Sequence, residues 1–218
     1  MSDSQTETTS DTPGRLYHAA QCGDVDLLRR ILADPDCTVD AIDKVKRWAA
    51  LHFAADSGHL DACRVLLSHS ADANIRCGEL IEDGDLRKDW YWEPGHTPMM
   101  LAARGAHVNV VELLIKMGAD VLVEDTMSWT ALHAACVCNE SQIVELLLLK
   151  GANTEVSCSF RHFDEELGWH FILTPLHVAA NNGSVEAAAR LLEHGAAINS
   201  CWITKRTPHD LCGGERAR

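Results

Sequence analysis

Apolar residues along this chain recur in two alternating registers divided by polar turns. The first register is small and tight, as in Ala54-Ala55, Ala102-Ala103 and Ala179-Ala180. The second carries branched residues at helical spacing, as in Val110, Val111, Leu113 and Leu114. Apolar positions at i, i+3 and i+4 line one face of a helix, so each unit is predicted to hold two short helices. Alanine in the first helix combines high helix propensity with room for backbones to approach closely. Between the two helices sits a residue suited to the left-handed conformation that ends a helix: Gly23, Gly58, Asn139 and Gly183. Gly118, Gly151 and Gly195 close the second helix in the same way.

The units align as an internal repeat. "RLYHAAQCGDVDLLRRIL" from Arg15, "AALHFAADSGHLDACRVLL" from Ala49, "TPMMLAARGAHVNVVELLI" from Thr97, "TALHAACVCNESQIVELLL" from Thr130 and "TPLHVAANNGSVEAAARLL" from Thr174 share one pattern, and "TPHDLC" from Thr207 begins it again. Thr97 to Thr130 and Thr174 to Thr207 are each steps of 33 residues, whereas Ala49 to Thr97 is 48 and Thr130 to Thr174 is 44. The period and "TPLHVA" resemble the ankyrin repeat, whose signature is T-P-L-H-x-A.

That resemblance implies an all-α helical solenoid of five repeats with a truncated C-terminal cap, β-hairpin finger loops and two loop insertions. Its expected boundaries are repeats at 13–43, 44–77, 92–125, 126–157 and 169–201, a cap at 202–212, and insertions at 77–91 and 158–168. Short tails at 1–12 and 213–218 flank a single domain. Some positions depart from the family pattern. Gly14-Arg15 and Ala49-Ala50 replace Thr-Pro, Met100 stands in the His position, and Ala106 stands in the Gly position. An alanine forced to positive φ costs on the order of 1 kcal/mol.

Charge narrows the partner classes. Nineteen basic against 32 acidic residues leave a formal charge of −13. Nucleic acid and anionic membrane surfaces are disfavoured by that balance. The opening "MSDSQTETTSDTPG" has neither the basic start nor the apolar core of a secretory signal. Nine scattered cysteines fit free thiols in a reducing compartment better than a disulfide framework, so a cytoplasmic or nuclear protein is expected.

No enzyme motif, cofactor or small-molecule substrate is expected. His52, His133 and His177 occupy the T-P-L-H position, where the resemblance implies an imidazole that ties repeats together. Cys136 and Cys138 form a C-x-C without a second pair at zinc spacing. A calcium loop starting at Asp83 would place Arg87, Lys88 and Pro94 where ligands, glycine and a closing glutamate are needed. Asn74, with Leu66 and Asp72 but Ala73, and Asn199, with Leu191 but Ala197 and Ile198, match in part the pattern of an asparaginyl hydroxylase that acts on ankyrin hairpins.

Both insertions fall at the finger joining one repeat to the next, where loops of a solenoid often form its binding face. In this family the residue just before the Thr position faces solvent, which gives an expected reading row of Trp48, His96, Trp129, Leu173 and Arg206. Aromatic residues dominate interface energetics. The expected contacts are therefore Trp48, Trp90, Tyr91, His96, Trp129, Phe163 and Leu173 on the fingers, with Asp56, Arg104, Val137 and Asn181 on the first helices. A non-catalytic module binding a protein or peptide with a basic patch is the functional expectation. The alternative is a substrate receptor or regulatory subunit of an enzyme complex such as a ubiquitin ligase. The chain ends shortly after Cys212, so the recruiting element would come from another polypeptide.

Overall fold

The computed structural model describes residues 12–78, 95–160 and 171–199. Five helix pairs follow one another: α1 (Thr12–Cys22) and α2 (Val25–Leu32), α3 (Ala50–Asp56) and α4 (Leu60–Ser68), α5 (Pro98–Arg104) and α6 (Val108–Lys116), α7 (Ala131–Val137) and α8 (Ser141–Leu149), α9 (Pro175–Asn182) and α10 (Val185–Glu193). The first helices stack in order α1, α3, α5, α7, α9, and the second helices form a parallel layer behind them. Leu16, Leu51, Leu101 and Leu132 from the first layer and Leu28, Leu66, Leu114, Ile143, Leu147 and Leu191 from the second are fully buried between them. The main helix contacts among the described residues join the same or adjacent units, so the core runs continuously along the stack, as a solenoid requires.

Local chemistry sets the helix ends. Thr97 Oγ1 accepts a hydrogen bond from Met100 N at 3.4 Å, and Pro98 and Pro175 open α5 and α9 where no intrahelical N–H is needed. Each first helix ends on a left-handed residue: Gly23, Gly58, Ala106, Asn139 and Gly183, with φ of 71°, 73°, 62°, 58° and 69°. Gly58 is doubly constrained, because a Cβ there would lie 2.5 Å from the His107 ring.

The fingers close by matched backbone bonds. Asp43 N donates to Trp48 O at 2.7 Å, Cys77 N to His96 O at 2.9 Å, and Asp125 N to Trp129 O at 2.9 Å. At the fourth junction β1 (Cys158–Phe160) pairs antiparallel with β2 (Phe171–Leu173), with Cys158 opposite Leu173. The expected contacts Trp90, Tyr91 and Phe163 lie outside the described residues, as does Arg206.

Candidate functional site

Two rows of inter-repeat ties position the surface. His52, His133 and His177 are each the third residue of a first helix. Their Nδ1 atoms accept from Ala49 N, Thr130 N and Thr174 N at 3.1, 3.2 and 3.3 Å. With Nδ1 occupied as an acceptor, the proton is assigned to Nε2. His52 Nε2 then donates to His96 O at 3.0 Å and His133 Nε2 to Leu173 O at 3.2 Å, each reaching the next finger. Burial lowers both imidazole pKa values to about 4. Met100 fills the same position in the third unit as a buried apolar side chain.

The second row lies at the far end of the first helices. His59 Nε2 bonds Gln21 O at 3.0 Å and His107 Nε2 bonds Asp56 O at 2.9 Å. The next unit has Glu140 in that position, and the Cys138 thiol donates to Arg104 O at 2.9 Å instead. Cys138 is thus an exposed structural donor, a role its C-x-C spacing does not reveal. Burial pushes Cys63, Cys136 and Cys158 up to about 12, which keeps them protonated and poor as nucleophiles or metal ligands.

On the inner face, Asp56 Oδ1 and Arg104 Nη2 pair at 3.1 Å, both half-buried. Two expected contacts are therefore brought together, and the Asp56 charge is partly neutralised within the protein. Val137 is half-buried on the next first helix and Asn181 is exposed on the one after.

The expected solvent-facing row needs correction. Trp48 is 3% exposed, His96 8% and Leu173 8%. Trp48 packs edge-on against Phe53 at 5.1 Å, and Phe53 stacks on Tyr17 at 5.7 Å, so this finger folds down onto α1 and α3. His96 lies beneath its finger, with Nδ1 3.7 Å from Asp125 Oδ2. Leu173 is buried where β2 pairs with β1. Trp129 alone of the four described members stays half-exposed, stacked on His133 at 5.0 Å. Its finger is rigid, since Asp125 Oδ1 accepts from both Met127 N at 2.7 Å and Trp129 N at 2.8 Å.

Behind this face, a groove of about 450 Å³ separates the outer helices of the third and fourth units. Val108 and Glu112 of α6 line it with Gln142, Glu145, Leu146 and Leu149 of α8. His194 Nε2 approaches Glu145 at 3.3 Å from α10. No helix among the described residues is long and apolar enough to cross a membrane.

Comparison with known proteins returns one family. The model described as Ankyrin repeats (3 copies) matches residues 11–77 and 76–158, and that described as Ankyrin repeat matches 173–202. The human ankyrin repeat and SOCS box protein 3 is 30% identical over 216 residues, covering 84% of this chain and 37% of that protein. A protein of Arabidopsis thaliana named as an E3 ubiquitin-protein ligase, XBAT31, is 26% identical over 189 residues, covering 84% of this chain and 37% of its own length. The human transient receptor potential cation channel subfamily A member 1 is 25% identical over 217 residues, which is 84% of this chain and 18% of the channel. The chain spans well under half the length of these relatives.

Proposed function

The chain belongs to the ankyrin repeat family, and from that premise we propose that it is a non-catalytic interaction module that binds a protein or peptide on its finger-and-helix face. The observation that carries this reading is Trp129, a half-exposed indole held on His133 by a hydrogen-bonded finger. A large aromatic ring pre-set in this way contributes contact area with little ordering cost. Val137 and Asn181 extend the surface along the next first helices, with the Asp56–Arg104 pair between units two and three. Trp90, Tyr91 and Phe163 belong to the proposal on sequence grounds alone. The acidic balance of the chain favours a partner with a basic patch rather than nucleic acid or anionic membrane. The seven described cysteines are all free thiols, which suits the cytoplasm or nucleus.

Affinity purification with partner identification tests this reading, followed by titration of the captured partner against Trp129→Ala. The variant is expected to weaken binding by more than about 1 kcal/mol. Trp129→Phe, which retains an aromatic ring over His133, is the stability-matched control. Unchanged affinity in Trp129→Ala refutes the placement of the surface.

A relative named as an E3 ubiquitin-protein ligase favours a second reading, in which the module is a substrate receptor whose recruiting element lies elsewhere. Recovery of elongin or cullin subunits in the same purification supports it, and their absence alongside a captured partner counts against it.

A further inference from the structure

Charge is unevenly spread along the finger edge. Lys44 and Lys46 are exposed on the first finger, Arg47 is half-buried beside them, and Val45 between the lysines is 84% exposed. Arg76 is exposed on the next finger, while the two fingers beyond carry exposed Glu124 and Glu155. In a chain of net charge −13 this gathers three cations within four residues on the first described finger.

The nearby acids are engaged with the backbone. Asp43 Oδ2 accepts from Val45 N at 3.0 Å and Lys46 N at 2.6 Å, and the Asp40 carboxylate accepts from Asp72 N at 3.2 Å. These bonds hold the loop in shape, and none of Lys44, Lys46 and Arg47 makes an ion pair among the described residues. Lys46 Nζ is held 5.2 Å from the Trp48 ring and 5.3 Å from the Phe53 ring. Arg47 has φ of 59°, its carbonyl accepts from Gly78 N at 2.9 Å, and its guanidinium lies against Gly78. Its Nε is buried without a hydrogen-bond partner. A buried N–H with no acceptor is unfavourable, and a guanidinium is shaped to receive a carboxylate through two parallel bonds.

We propose that the Lys44–Arg47 loop receives an acidic segment of a partner protein. One carboxylate meets the Arg47 guanidinium, a second lies between Lys44 and Lys46, and an apolar side chain covers Val45. The inference rests on the interaction-module reading and adds polarity to it. An acidic segment against the first finger and a basic patch against the later fingers admit one orientation along the stack.

The test is a titration of the ¹⁵N-labelled full chain with a ten-residue Glu-Leu peptide, its Gln-Leu counterpart, and anionic phospholipid vesicles. The expected result is amide shifts from the Glu peptide confined to Lys44–Arg47 and Gly78, strengthened at low salt and absent with Gln. Lys44→Glu with Lys46→Glu is expected to weaken binding at least about fivefold. Arg47→Gly, which suits the left-handed φ and removes the guanidinium without threatening the fold, is expected to do likewise. Shifts elsewhere or none, equal binding of the Gln peptide, unchanged affinity in either variant, or binding to vesicles alone overturns the proposal. Each of those results leaves partner capture through Trp129 intact, so the two readings fail separately.

Discussion

Acidification should loosen this stack well before its carboxylates titrate as a class, and His133 shows why. Its ring is fully buried, accepts from Thr130 N and donates to Leu173 O. A proton on Nδ1 would abolish the accepting role inside an apolar core, which agrees with the lowering of its pKa to about 4. In the unfolded chain an imidazole returns to its ordinary value of about 6.5. Above that pH both states hold the ring neutral. Between 6.5 and 4 the unfolded chain binds a proton that the folded chain refuses, so stability falls as pH falls. The slope is about 1.4 kcal/mol per pH unit for each ring, or about 2 kcal/mol between pH 7 and 5. His52 has the same lowered pKa for the same reason, so the pair should cost about 4 kcal/mol over that interval.

Urea unfolding followed by far-ultraviolet circular dichroism at pH 7, 6 and 5 measures this loss. His133→Gln keeps an amide able to reach the Leu173 carbonyl but removes the titration. Its decline between pH 7 and 5 should be smaller than that of the parent chain by about 2 kcal/mol. Burial raises the Asp125 pKa and works in the opposite sense, but equally in both proteins, so the difference isolates His133. An identical decline in the two proteins refutes the assignment of the acid sensitivity to this ring.

Two further substitutions exploit the left-handed residues that end the first helices. Ala106→Gly should stabilise the protein by up to about 1 kcal/mol, since Ala106 holds φ of 62° without side-chain compensation. Asn139→Gly at the equivalent position should destabilise it despite the similar φ, because Asn139 Oδ1 accepts from Ala187 N at 3.1 Å and its Nδ2 donates to Glu186; thermal melts of the two variants should move in opposite directions. Asn74→Ala should cost about 0.5–1.5 kcal/mol, because Asn74 Oδ1 accepts from Asp120 N at 2.8 Å and its loss removes one bridge between two finger loops. Hydrogen exchange at Asp120 and Leu122 should accelerate in that variant, and unchanged protection would contradict the bridging role.

The repeat was legible because each unit states the same instructions. The T-P-L-H position, the alanine pairs and the left-handed glycines predict helix pairs, ties and turns that the structure contains, and Ala106 adopts the positive φ its register demands. The candidate surface was less legible, for a physical reason. A residue that faces solvent in a plain finger can fold down when its own neighbours offer a better environment. Phe53 and Tyr17, five and 31 positions from Trp48, supply that environment, and no local pattern links the three. The Asp56–Arg104 pair is hidden by the same cause, since 48 residues of chain separate two side chains that share a register. Both become visible only when side chains are compared across units rather than along one.

The junction between the third and fourth units stands apart from its neighbours. Where the two earlier junctions close on an imidazole, this one closes on a thiol, a weaker donor, and the outer helices behind it leave a groove of about 450 Å³. A column of stacked plates bends at its joints, and a thiol tie resists bending at this one less than an imidazole would. The Trp129 finger straddles that joint, so the angle between the two halves of the column would set how far the indole stands from Asn181, and a ligand gripping both would act as a splint.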